Sequence, residues 1–142
     1  MENPVRIGYA IDVHRFLATR PLVLGGVRIS ETNGLDGHSD ADVVLHAIAD
    51  AVLGALAWGD IGGWFPNTDP TWKDADSTKL LAAIWTRVQE EGWRLGNVDV
   101  MVLAEQPKLA PHIPAMRKAI AAILDATDTS VSIKATTAER LG

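Results

Sequence analysis

Asp12 and His14 stand two residues apart at the end of the alternating segment Val5 to His14. On an extended chain they project from one face, roughly 6–7 Å apart. A zinc ion with ligand bonds of about 2.0–2.2 Å can lie between two such tips. An Asp-x-His pair is weak by itself, because a surface carboxylate beside a hydrogen-bonded histidine is spelled the same way. A second polar set strengthens it. Wound at about 100° per residue, Ser39, Asp42, His46 and Asp50 fall on one narrow helical stripe. The rest of that helix is apolar, with Val43, Val44, Leu45, Ile48, Val52, Leu53 and Leu56, so it is expected to be buried nearly all round. Buried polar groups need partners. The stripe is either a helix cap plus a satisfied core histidine, or it converges on Asp12 and His14. Three ligands of mixed imidazole and carboxylate type, Asp12, His14 and His46, would leave one tetrahedral position open. That pattern suits a catalytic zinc acting as a Lewis acid on a phosphoryl oxygen.

Three further segments carry groups with chemical uses. Asp60-Ile61-Gly62-Gly63 followed by Phe65-Pro66-Asn67-Thr68-Asp69-Pro70 is rich in turn residues and acceptors. One carboxylate there can accept from both hydroxyls of a ribose diol, although an ordinary Asx-turn loop has the same composition. Gln106-Pro107-Lys108-Leu109-Ala110-Pro111-His112 leads from a strand into a helix, where Lys108 and backbone N–H groups can meet a phosphate. Loop lysines are usually solvated. Lys134-Ala135-Thr136-Thr137-Ala138-Glu139 ends a strand with two hydroxyls and a carboxylate. A carboxylate beside a diphosphate requires a cation between them, typically hydrated Mg²⁺.

The elements that must position these groups follow from periodicity. Val5 to His14 is expected to be a strand, with Ile7, Tyr9, Ile11 and Val13 on one side. Gly25-Gly26 turns a hairpin between Leu22-Leu24 and Val27-Ile29. A helix is expected from a capping pattern at Ser39 and Asp42 to about Trp58, stopping at Gly59. A second helix begins near Ser77, presents Leu80, Leu81, Ile84, Trp85 and Val88, and stops at Gly92. Val98, Val100 and Val102 mark a strand. Pro111 and Pro114 open a third helix, and Val131, Ile133 and Ala135 mark a last strand. The expected fold is α+β: a two-layer α/β sandwich with a mixed β-sheet covered by helices.

The bulk properties bound the function. With 142 residues, 47% hydrophobic and 22% charged, the chain suits one domain with a real core. A net charge of -5 argues against a nucleic-acid surface. An acidic protein that binds phosphates needs metal ions, local lysines or backbone N–H groups to do so. The chain has no cysteine, so thiolate zinc sites and disulfides are excluded and His, Asp and Glu remain as ligands. The N-terminal sequence lacks a basic segment followed by an apolar one, and Val43 to Trp58 is too short and too polar to span a bilayer. A cytoplasmic location, without membrane partners, is expected.

Taken in order, Asp12-Val13-His14, Leu24-Gly25-Gly26-Val27, His38-Ser39-Asp40-Ala41-Asp42 with His46, Asp60-Ile61-Gly62, Phe65-Pro66-x-Thr68-Asp69 and Lys134-Ala135-Thr136-Thr137 resemble one family over essentially the whole chain. It is the 2-C-methyl-D-erythritol 2,4-cyclodiphosphate synthase family of the nonmevalonate isoprenoid pathway. The resemblance implies a phosphorus-oxygen lyase, assembled as a homotrimer with active sites between adjacent subunits. It assigns Asp12, His14 and His46 to Zn²⁺, and Glu139 to a second divalent ion, Mg²⁺ or Mn²⁺. His38 and Thr137 match the residues that position and stabilise the reacting phosphates, and Ser39 lies beside the erythritol phosphate. Substrate contacts are implied for Asp12, Val13, His14, His38 and Ser39. They extend to Asp60, Ile61 and Gly62, and to Phe65, Pro66, Asn67, Thr68 and Asp69. A neighbouring subunit's cytidine and phosphate pocket is matched by Ala104, Glu105, Gln106, Pro107, Lys108, Leu109 and Ala110 with Ala135, Thr136 and Thr137, and substrate contacts are also implied for Ala138 and Glu139.

The implied reaction is intramolecular: the 2-phosphate of 4-diphosphocytidyl-2-C-methyl-D-erythritol 2-phosphate attacks the β-phosphorus, closing the cyclic diphosphate and releasing CMP. Two cations and a few donors offset the repulsion between phosphates, and a folded-back substrate supplies proximity. Two departures stand out. Ala138 occupies a position where many members carry Thr or Asn. The family also continues past Gly142 with an aromatic residue, a Gly-Arg loop and a final strand, so residues 1–142 read as one synthase domain lacking that strand. Two other functions fit the same residues. One is a zinc hydrolase of another phosphate ester; the other is an inert trimeric metal- and nucleotide-binding module.

Overall fold

The structure, a computed structural model, describes residues 4–141. Four α-helices and three single-turn 3-10 helices pack with three short two-stranded ladders among the described residues, an α+β arrangement. β1 (Phe16–Leu17) pairs antiparallel with β4 (Gly34–Leu35), and β2 (Leu22–Leu24) with β3 (Val27–Ser30). β5 (Val98–Leu103) runs parallel to β6 (Val131–Thr136). α4 (Ile113–Ile123) lies between β5 and β6 in the chain, as a parallel pair requires. It packs on β6, and α1 (Val43–Ala55) on α3 (Ser77–Glu90). Leu45, Leu53, Leu81, Ile84, Met116, Ile120 and Leu124 are fully buried at the centre.

The β2–β3 hairpin turns where expected, because Gly25 and Gly26 take φ of 59° and 78°, a region that excludes most side chains. α3 begins at Ser77 behind the cap Asp76, and the chain leaves it through Gly92 at φ 85°.

α1 is shorter than expected at both ends. Its cap is Asp42, whose carboxylate accepts from Leu45 N–H; Ser39 lies outside the helix. The capping pattern fails because Ala41 adopts φ 59° and Asp40 N–H bonds to Ala75 C=O, turning the chain before Asp42. At the other end Ala57 takes the left-handed position (φ 57°), with Trp58 N–H closing on Leu53 C=O, so the helix stops ahead of Gly59.

The Val5 to His14 segment is extended and alternates as expected. Ile7, Tyr9, Ile11 and Val13 are 71–88% exposed, while Asp12 and His14 turn towards α1. It forms no ladder with any described strand, so it is not a β-strand here. Its backbone crosses α1 so closely that a Cβ on Gly8 would sit 1.7 Å from Ala51 O. The described residues thus form three two-stranded ladders where one mixed sheet was expected. No helix among them is long and apolar enough to cross a membrane.

Candidate metal centre

α1 delivers His46 one turn after its cap, and the extended N-terminal segment delivers Asp12 and His14 across from it. Asp12 Oδ2 lies 3.3 Å from His14 Nδ1 and 3.4 Å from His46 Nδ1. Tetrahedral zinc with bonds near 2.1 Å separates its ligand atoms by roughly 3.4 Å. The other carboxylate oxygen, Oδ1, accepts the Val13 N–H at 2.9 Å, which fixes the rotation of the group. His14 Nδ1 is buried and makes no hydrogen bond despite its closeness to Asp12. Desolvation lowers the His14 pKa below its ordinary 6.5, against the pull of Asp12, so the neutral imidazole that a cation requires is favoured. An orphaned nitrogen on a neutral ring fits a metal ligand better than an ion pair with Asp12. These three are also the one group of His and carboxylate side chains among the described residues close enough to share an ion.

The loop from Gly37 to Asp42 closes over this triad. His46 Nε2 contacts Ser39 Oγ at 3.0 Å and Ser77 Oγ at 2.9 Å. Arg20, in the turn between β1 and β2, donates to Gly37 C=O at 2.6 Å and to Ser39 C=O, clamping the loop's carbonyls. Asp40 accepts from Asp42 N–H, Ser77 N–H and the Ser77 hydroxyl, tying the loop to the start of α3. Nothing in the sequence marks Arg20. Asp40 and Ser77 were visible only as members of a polar run and a helix start. Their partners across the loop lie 17 to 38 residues away, beyond any periodicity.

The helical stripe divides among three tasks. Only His46 reaches Asp12 and His14. Asp42 is fully buried and accepts from Gly25, Gly26 and Leu45 N–H, joining the hairpin to α1. Asp50 accepts the Ile61 N–H at 2.7 Å and so places the loop that Asp60 then caps through Gly63 N–H. That loop forms α2 (Ile61–Trp64) and continues through Phe65, which is buried edge-on against Trp72. Its far end returns to the centre: His38 Nε2 lies 3.2 Å from Asp69 C=O, and Asp74 N–H bonds to His38 C=O. Bonding to Thr71 N–H lowers the pKa of the half-buried Asp69 carboxyl. Asp12, His14, His38, Ser39, His46 and the Asp60 to Asp69 loop are therefore joined on one side of α1. Pro66, Asn67 and Thr68 are exposed there.

The remaining candidate residues gather where β5 and β6 end together, and Ala104, Gln106 and Pro107 line the same cavity as Asp12, Val13 and His14. Leu103 pairs with Thr136, and Ala104 N–H bonds to Thr136 C=O. Glu105 accepts the Arg140 N–H at 2.6 Å. Glu139 takes φ 54°, and its N–H reaches Thr137 Oγ1 at 3.2 Å. Thr137, Glu139 and Lys108 are exposed, whereas Leu109 is buried in the core. Glu139 does not approach the Asp12, His14 and His46 group closely enough to share its ion.

Comparison with known proteins agrees with this geometry. The family model described as YgbB family matches residues 5–142. The 2-C-methyl-D-erythritol 2,4-cyclodiphosphate synthase of Halalkalibacterium halodurans is 58% identical over 138 residues, 97% of this chain and 88% of that protein. A CDP-bound structure of 2C-methyl-D-erythritol-2,4-cyclodiphosphate synthase superposes with a TM-score of 0.89 at 35% identity, covering 96% of this chain and 91% of that one. The bifunctional IspDF of Campylobacter jejuni superposes with a TM-score of 0.92 at 45% identity; the match covers 96% of this chain and 37% of that longer one. With a family model spanning nearly its whole length and a relative this similar, the chain belongs to the YgbB family.

Proposed function

We propose that this chain is a 2-C-methyl-D-erythritol 2,4-cyclodiphosphate synthase. It converts 4-diphosphocytidyl-2-C-methyl-D-erythritol 2-phosphate to the cyclic diphosphate and releases CMP. The observation that carries this reading is the convergence of Asp12, His14 and His46, with His38 and Ser39 on the loop above them, in a chain 58% identical to a named synthase. Asp12, His14 and His46 hold Zn²⁺, which when bound supplies Lewis acidity to a phosphate oxygen.

The chain's own groups then do the positioning. His38, braced by Asp69 C=O, and the Ser39 hydroxyl orient the attacking phosphate. Asp60, Ile61 and Gly62, with Phe65 to Asp69, hold the hydroxylated part of the substrate. Thr137 donates to the diphosphate, and Glu139 holds a second divalent ion, Mg²⁺ or Mn²⁺, beside it. Ala104 to Ala110, including Lys108, and Ala135 to Ala138 receive the cytidine and its phosphates. Holding both phosphates in one folded geometry replaces a bimolecular encounter by an intramolecular one.

The complete site is proposed to form between copies, with the residues around the ends of β5 and β6 supplied by a neighbouring subunit. A homotrimer is the assembly this implies. The exposed apolar row Ile7, Tyr9, Ile11 and Val13, with Met101 and Leu103 on β5, is the surface such an assembly would cover. The protein is proposed to work in the cytoplasm.

Incubation with the cytidine diphosphate ester, followed by ³¹P NMR, tests the reaction. Equimolar CMP and cyclic diphosphate are expected, with none formed after chelation. Acyclic, water-derived phosphate would instead mark a hydrolase. Tight CMP and zinc binding without turnover would mark a binding module.

A further inference from the structure

Ser77 opens α3 and is 1% exposed, yet its hydroxyl points away from the helix it begins. Its Oγ lies 2.9 Å from His46 Nε2 and 3.4 Å from Ser39 Oγ, and it contacts Asp40 Oδ1 directly. Proton counting sets the direction of this chain. A carboxylate only accepts, and Asp40 already takes Asp42 N–H on Oδ1 and Ser77 N–H on Oδ2. The Ser77 hydroxyl therefore gives its single proton to Asp40 and faces His46 with lone pairs. His46 Nε2 must then be the protonated nitrogen. His46 Nδ1, 3.4 Å from Asp12 Oδ2, keeps its lone pair for a cation.

We propose that Ser77 and Asp40 are positioning residues of the metal centre: they fix the His46 tautomer and ring orientation through an Asp40–Ser77–His46 hydrogen-bond chain. Outer partners of this kind set both the basicity and the aim of a ligating imidazole. The chain has a second effect, on Ser39. Ser39 Oγ accepts from Ala41 N–H at 3.3 Å and faces His46 Nε2 at 3.0 Å. Its own proton has only the long 3.4 Å contact to Ser77 within the protein, so it is available to an incoming phosphate oxygen.

The inference rests on the reading of Asp12, His14 and His46 as a cation site, but it is tested separately. In the zinc-free wild-type protein, ¹⁵N NMR of the His46 ring should report the Nε2–H tautomer. A dominant Nδ1–H tautomer would overturn the proposal whether or not zinc binds. Zinc affinity, measured by competition with a chelator, should weaken by about 10–100-fold in Ser77→Ala. The visible spectrum of the Co²⁺-loaded variant should shift as His46 loses its fixed orientation. Affinity within about twofold of wild type together with an unchanged Co²⁺ spectrum would refute the positioning role. Should Ser77→Ala fail to fold, the wild-type tautomer decides alone. Failure of the metal reading looks different: wild-type protein would bind no zinc, or His46→Ala would bind it normally.

Discussion

Gly37 carries no side chain, and the His14 ring uses the space. A Cβ there would lie 2.9 Å from the Ala41 Cβ and 3.2 Å from His14 Cδ2. Ala41 is fully buried and cannot retreat, so the imidazole has to give. Gly37→Ala is therefore expected to weaken zinc binding by about tenfold, a loss of the size seen when a ligand's surroundings are disturbed. The protein should remain folded, and chelator competition alongside circular dichroism separates the two effects. At this scale the sequence was partly legible. Asp12, His14 and His46 could be paired from spacing, because period-two and period-3.6 geometry predict which side chains share a face. Asp50 sat on the same stripe and was misleading. Periodicity says which way a side chain points, not which backbone N–H waits there, and Asp50 meets Ile61.

Between residues and the whole, the elements meet through polar clamps. Arg20 holds two carbonyls of the Gly37 to Ser39 stretch and so sets the height of His38 and Ser39 above the triad. Arg20→Ala should lower kcat/KM about a hundredfold through a displacement on the order of 1 Å. Steady-state kinetics with the cytidine diphosphate ester reads this, and zinc content should stay nearly unchanged. Lys at this position should not rescue, since one ammonium cannot reproduce the fork across two carbonyls.

Asp42 clamps the hairpin to α1, and burial raises its pKa from 3.8 to about 6 against three opposing N–H bonds. Because the folded value exceeds the unfolded one, the native state binds the extra proton between them. The stabilisation is thus fully present below about pH 4 and is lost as pH rises through 6. Its size is on the order of 2–3 kcal/mol. Urea unfolding of zinc-free protein should show this downward slope in the wild type and a smaller one in Asp42→Asn, whose amide does not titrate. The hairpin was legible because two adjacent glycines admit few other structures. The limits of α1 were not. They depend on Ala41 and Ala57 in left-handed conformations that alanine rarely adopts, imposed by bonds from Asp40 N–H to Ala75 C=O and from Trp58 N–H to Leu53 C=O.

At the scale of the molecule, one chain carries two groups of candidate residues and an exposed apolar row. Asp12, His14, His38 and His46 lie beside the N-terminal half of α1, while Thr137 and Glu139 lie where β5 and β6 end. If each site takes its metal triad from one copy and its diphosphate donors from the next, defects in the two halves complement one another. His46→Ala and Thr137→Ala should each be nearly inactive when pure. Co-expressed in equal amounts and purified as a mixed assembly, they should recover about a quarter of wild-type turnover, because in a closed ring each half-site is intact with a chance of about one half. A site contained within one chain predicts no recovery at any mixing ratio, since every copy then carries one defect in its own site. Sedimentation of the wild type and of Ile11→Asp tests the same surface from the other side. The apolar row should hold the wild type at three copies, and a carboxylate placed in it should release monomers and remove the recovered activity with them.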